Sequence, residues 1–181
     1  MKFIEINTPV TDEQIASLKI GDQVLLSGYI YTARDAAHKR MVELLDQGKQ
    51  LPFDIRGQIL YYVGPSPAKP GHVIGSAGPT SSYRMDAYTP QLLQQGLKGM
   101  IGKGARTQAV VDALVANKSV YFAAIGGAAA LLAKSVLESE VIAYEDLGAE
   151  AIHKLRVKDL PVIVINDVGG NDLYDTARKK V

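Results

Sequence analysis

The sequence predicts an α/β fold with some parallel strand pairing. Three observations carry that expectation. The second half alternates strand-like and helix-like segments, the pattern that lays strands side by side in one direction. The first half holds more strand and more irregular backbone, and no linker divides the chain. At 181 residues, with 47% hydrophobic and 22% charged, the chain is long enough and apolar enough for one domain with a real core.

The elements follow in order. Residues 2–7 alternate as a short strand. Thr11 followed by Gln14 forms a capping-box pattern for a helix through Leu18. After a turn at Gly21-Asp22, residues 23–32 (QVLLSGYIYT) are rich in β-formers. Ala37, Met41, Leu44 and Leu45 mark one face of a helix over 34–48, stopped by Gly48. A connector over 51–56 leads to a strand over 59–63. Three prolines and two glycines in GPSPAKPG then forbid regular structure. A helix is expected over 90–95, with Pro90 in its first turn and Gly96 at its end. Next come a strand over 98–101, a helix over 107–116 and a strand over 120–124. A small-residue helix opens at Gly126-Gly127 and runs to Val136. A strand over 140–144, a short helix over 149–155 and a strand over 162–165 follow. The tail turns at Gly169-Gly170 into a last short pairing segment.

Composition excludes several chemistries. With no cysteine there is no disulfide, thiol nucleophile, thiolate zinc site or self-contained iron–sulfur cluster. A net charge of +1 leaves no electrostatic footprint for nucleic acid. No signal-peptide h-region is visible in the first residues. The longest weakly polar run, 123–133, is shorter than a membrane span, so a cytoplasmic location is expected.

The loop over 75–86 is the richest in chemistry. Gly75, Gly78 and Pro79 shape the backbone ahead of Thr80, Ser81, Ser82, Arg84 and Asp86. Hydroxyls, exposed amides and a guanidinium make a cradle for a carboxylate or phosphate. A plain loop closed by an Asp86 helix cap is the competing explanation. The turn GKGAR (102–106) places glycines on both sides of Lys103, so an anion can approach closely. Leu97 and Gly104 depart from a P-loop, and Thr107 departs from a dinucleotide fingerprint, so a tight turn with solvated charges stays open. Arg34 and His38 lie four apart at a strand end entering a helix. His38 alone is better explained as an ordinary, partly buried histidine. Gly126-Gly127 suits close packing better than anion binding. Glu145, Asp146 and Asp167 lack metal-site spacing and are expected to be structural. Arg34, Thr80, Arg84 and Lys103 together suit a small dianion, but they supply only half an active site.

At these residues the chain resembles a known family. GPTSSYRMDAYTPQLLQQGLKGMIGKG, VYFAAIGGAAALLAKSV, VIAYEDLGAEAIHKL and PVIVINDVGGNDLY, with TARDAAHKRM upstream, are similar to the β subunit of two-subunit class I fumarases and L-tartrate dehydratases. The same piece forms the C-terminal domain of single-chain class I fumarases. The resemblance runs from about Ile6 to Tyr174, so residues 1–181 are expected to form a single β-subunit domain.

The resemblance implies a swivelling β/β/α domain in three layers with a mixed sheet. It implies an iron–sulfur hydro-lyase acting on a C4 dicarboxylate, fumarate/malate or L-tartrate. The [4Fe–4S] cluster would sit on a separate α subunit and not on this chain, and one iron would act as a Lewis acid. By the same resemblance, Arg34, Arg84 and Lys103 contact substrate carboxylates and Thr80 is the catalytic base. Activity would require the α subunit, in an α2β2 complex, and the isolated chain could self-associate. Ser81 and Ser82 follow the threonine, and Tyr83, before Arg84, is where agreement with the family motif is weakest and bears on substrate choice. Two other readings compete: a stand-alone dicarboxylate-binding or regulatory domain, and a purely structural subunit. The retained Arg34, Thr80, Arg84 and Lys103 argue against the last.

Overall fold

This computed structural model describes residues 2–125 and 129–180. Among these residues seven strands make one mixed sheet: β1 (Ile4–Asn7), β2 (Gln23–Thr32), β3 (Ile59–Tyr61), β4 (Gly99–Gly102), β5 (Val120–Ala124), β6 (Val136–Ala143) and β7 (Ile152–Asn166). β1 and β3 both pair in parallel with β2, and parallel pairing continues from β3 to β4 to β5. β7 runs antiparallel to β2, β5 and β6. Ile163 of β7 faces Gln23 of β2 on one edge and Ala123 of β5 on the other, so the sheet closes on itself like a barrel.

Closure divides the apolar residues into two sets through the two-residue period of a strand. Val24, Leu26 and Ile30 of β2 join Ile59, Tyr61, Ile101, Phe122, Leu155, Val157, Leu160, Val162 and Val164 in one core cluster. The alternate residues, Leu60, Met100, Tyr121 and Ile165, form a second. That second set is covered by α2 (Asp35–Asp46), α3 (Thr89–Gln94) and α4 (Gln108–Ala116), through Ala37, Met41, Leu92, Leu93, Val110 and Leu114. Three further short α-helices lie among the described residues: α1 (Asp12–Ser17), α5 (Ala129–Lys134) and α6 (Leu173–Arg178). The capping box at Thr11 and Gln14 is formed as expected at the start of α1.

β7 keeps its pattern across 15 residues by means of a bulge. Leu26 opposes Leu160 while Gly28 opposes Val157, so β7 holds one more residue than β2 there. Asp159 takes φ 51° at that point. The extra residue moves the buried set from Leu155 and Val157 to Leu160, Val162 and Val164 without breaking the core.

Several expectations are corrected. The predicted helix over 149–155 is a 3-10 segment, Glu145–Glu150, followed by β7 from Ile152. Residues 152–157 pair with β6 on one side, and residues 154–157 pair with β2 on the other, which outweighs local helix propensity. The strand expected at Glu140 begins at Val136. The small-residue helix therefore ends at Lys134, and its proposed start at Gly126-Gly127 lies outside the described residues. The tail makes one bridge, Asn166 to Asp172, and then forms α6 where a pairing segment was expected. Asp172 accepts from the amides of Tyr174 and Asp175 and so starts that helix. Among the described residues no helix is long and apolar enough to cross a membrane.

Candidate carboxylate site

The parallel strands deliver their carboxyl ends to one edge of the sheet. Thr32 of β2 lies beside Tyr61 of β3, and Tyr61 beside Ile101 of β4. The chain just beyond these ends carries the candidate residues. Arg34 follows β2 and precedes the first residue of α2. Lys103 follows β4.

Residues 80–82 fill the gap between the ends of β3 and β4. The Thr80 amide donates to the Tyr62 carbonyl at 2.6 Å, the Lys103 amide to Thr80 at 3.3 Å and the Ser82 amide to Lys103 at 2.9 Å. Ser81 and Lys103 form a parallel bridge. The loop thus adds a short extra strand, and that pairing brings Thr80 and Lys103 together from 23 positions apart.

Gly102 is what lets the loop sit there. A Cβ on Gly102 would stand 2.0 Å from Ser82 Oγ and 2.9 Å from Tyr62 Cδ2. The first glycine of GKGAR therefore serves close packing of backbone and loop. Gly104 takes φ +84° in the turn itself.

The two arginines meet through α2. Arg84 pairs with Asp35, the first residue of α2, and Arg34 immediately precedes it. The Arg34 side chain lies over Gly64, just past β3, where a Cβ would stand 3.1 Å from Arg34 Cδ. Glu150 Oε1 is 3.8 Å from Arg34 Nε, and neither of these buried atoms has a hydrogen-bond partner among the described residues. No hydrogen bond or ion pair from a described residue engages the Thr80 hydroxyl or the Lys103 ammonium. All four candidates thus reach the same edge. Arg84 and Arg34 are partly balanced by Asp35 and Glu150, two carboxylates that sequence reasoning did not single out for this site.

His38 is a packing residue, and it is fully buried where partial burial is expected from the sequence. Its Nδ1 donates to the Arg34 carbonyl at 2.8 Å, and its ring meets Tyr62 edge-on. Burial pushes its pKa down to about 4, against the opposing pull of that hydrogen bond, so the ring is neutral at pH 7. Asp86 is not a cap for a helix following its own loop. It accepts from Arg106 Nε at 2.7 Å and from the Thr107 amide at 2.8 Å. Asp167 binds the amides of Ile20, Gly169 and Asn171 and is structural, as expected.

Sequence reasoning missed the buried partners of this edge: Tyr62, Tyr121 and Arg106. Arg106 was visible only as the last letter of GKGAR. An arginine placed 20 residues from an aspartate gives no periodic signal of pairing.

The edge is open. A cavity of about 610 Å³ lies elsewhere, between the proline-rich loop and α5, lined by Ser66, Ile74, Ala133 and Val136, and none of the four candidates lines it. The chain's residues do not fit an iron–sulfur cluster. It has no cysteine, and among the described residues no group of three or more His, Asp or Glu could hold a metal ion.

Comparison with known proteins gives a consistent picture. The family model described as "Fumarase C-terminus" matches residues 1–177. The chain is 38% identical over 175 residues to the aerobic class I fumarate hydratase of Salmonella typhimurium, covering 94% of the chain and 30% of that protein. It is 39% identical over 176 residues to the anaerobic class I fumarate hydratase of Escherichia coli, covering 94% and 32%. The chain spans about a third of the length of these fumarate hydratases. It is also 38% identical over 178 residues to a Methanocaldococcus jannaschii protein named "Putative L(+)-tartrate dehydratase subunit beta", covering 95% of the chain and 91% of that protein.

Proposed function

From the premise that this chain belongs to the fumarase C-terminus family, we propose that residues 1–181 act as one domain, the β subunit of a hydro-lyase for a C4 dicarboxylate. The substrate pair is fumarate/malate or L-tartrate and its dehydration product. The single observation that carries this reading is the edge where Arg34, Thr80, Arg84 and Lys103 meet, with Arg84 and Lys103 exposed among the described residues. Exposed cations at such an edge are what half of a shared active site presents.

In this reading a separate α subunit supplies the [4Fe–4S] cluster and covers the edge, with this chain as a swivelling three-layer domain. The assembly is α2β2 and cytoplasmic. This chain's own part is electrostatic. Two guanidinium forks and an ammonium match the two carboxylates of the substrate. A carboxylate held against a cation makes the neighbouring carbon easier to deprotonate, because the developing aci-carboxylate is stabilised. The dianion must displace Asp35 from Arg84 and Glu150 from Arg34. Those internal carboxylates keep the arginines placed without filling the site.

Thr80 is the base in this reading. A free hydroxyl is a weak base, so the surrounding cations must favour its alkoxide or let it relay a proton. Thr80→Val in the assembled enzyme is expected to lower kcat by at least about a hundredfold, the scale of general-base catalysis, with KM little changed. Full turnover in that variant removes the role from Thr80.

A further inference from the structure

We propose that Arg106 and Asp86 are positioning residues for the carboxylate site, fixing the loop of Thr80 and Arg84 against the turn of Lys103. The inference rests on the dicarboxylate reading above, and its test separates the two.

The Arg106 side chain is 0% exposed and joins both segments. Its Nε donates to Asp86 Oδ1 at 2.7 Å, two residues after Arg84. Its Nη2 donates to Thr89 Oγ1 at 2.8 Å and to the Tyr62 hydroxyl at 3.3 Å. The guanidinium lies over the rings of Tyr62 and Tyr121, 5.3 and 4.9 Å from their centroids. Tyr121 extends the same network. Its hydroxyl donates to the Gly104 carbonyl at 2.8 Å and stands 2.7 Å from Ser82 Oγ. Asp86 and Thr89 thus tie the 80–89 segment to the 102–107 turn through Arg106, Ser82 ties it to β5 through Tyr121, and the remaining contacts hold the turn to β5 and to Tyr62 just past β3.

The pair is poorly arranged for stability alone. Arg106 Nη1 is buried without a hydrogen-bond partner among the described residues. A buried ion pair with an unmet donor gains little over an apolar replacement. What it supplies is direction. The fork and the carboxylate fix a relative orientation that apolar side chains would not specify.

The test compares Asp86→Asn, Arg106→Met and the double variant, each as full chain in complex with its α partner. Each single variant leaves an unmatched group and lowers the melting midpoint. The double variant leaves no buried charge, and its midpoint returns close to that of the unaltered chain. Despite that recovery, amide exchange over 78–86 and 102–107 is expected to stay about tenfold faster, with β2 and β7 unchanged, and KM for the dicarboxylate to stay raised about tenfold or more. A double variant with unaltered exchange in both segments and unaltered KM overturns the proposal. Arg106→Lys guards against a double variant that does not fold. It keeps the charge but loses the fork, and normal exchange and KM there overturn the proposal equally. If the unaltered complex shows no hydro-lyase activity, the functional reading fails alone, and the exchange measurement still decides whether the pair positions these segments.

Discussion

Arg84 shows how to tell a ligand-binding residue from a structural one. Its pair with Asp35 is well exposed, at 42% and 32%, and such pairs contribute at most about 1 kcal/mol. A lost charge-assisted contact to a substrate carboxylate costs about 1.5–3 kcal/mol. Arg84→Met is therefore expected to raise KM about tenfold or more while the unfolding free energy changes by less than about 1 kcal/mol. Enzyme assays and urea titration of the same variant check both halves. An equal and large loss of stability would assign Arg84 to the fold.

His38 gives a pH prediction of known sign. In the folded chain burial holds its pKa at about 4, against 6.5 when exposed. Between these values the unfolded chain binds a proton that the folded chain does not. The stability is present in full above about pH 6.5 and is lost as pH falls toward about 4, by about 3 kcal/mol. His38→Asn keeps a donor for the Arg34 carbonyl but does not titrate there. Urea midpoints across that window should fall more steeply for the native chain than for the variant. Parallel curves would mean that His38 is not buried neutral.

At the scale of elements, the meeting of loop 80–82 with β4 depends on one missing methyl group. Gly102→Ala would drive Cβ into Ser82 Oγ and Tyr62. The expected result is a loss of about 1–3 kcal/mol, the usual cost of overpacking, with weaker dicarboxylate turnover because Thr80 and Lys103 no longer share a pairing. Calorimetry and kinetics on Gly102→Ala check this. Unchanged values in both would show that the loop does not need that close approach. The elements most legible in the sequence were those with a strong local pattern: the Thr11–Gln14 capping box, the apolar face of α2 and the β-rich run of β2. β7 was not legible as one strand. Its bulge at Asp159 breaks the two-residue period, and its first half pairs not only with the neighbouring β6 but also with β2, which lies far away in sequence. Long-range pairing of this kind leaves no local trace.

At the scale of the molecule, the sequence foretold the mixture of strand and helix but not the closed sheet. Closure comes from β7 binding two distant strands at once, and periodicity does not record partners. The candidate residues were legible because glycine, proline and cations cluster in two short stretches. The counter-charges Asp35 and Glu150, and the buried Arg106–Asp86 pair, were not, because they become neighbours only through the fold. The central claim is a division of labour: this chain holds the dicarboxylate, and a cysteine-bearing partner holds the cluster. The most direct measurement mixes the two purified chains, with the cluster reconstituted, and follows double-bond absorbance with fumarate, malate and L-tartrate. The account predicts no turnover from either chain alone and hydro-lyase turnover of at least one dicarboxylate by the mixture. A mixture that assembles with an intact cluster yet turns over none of them, while this chain alone binds a dicarboxylate, would contradict it in favour of a stand-alone binding domain.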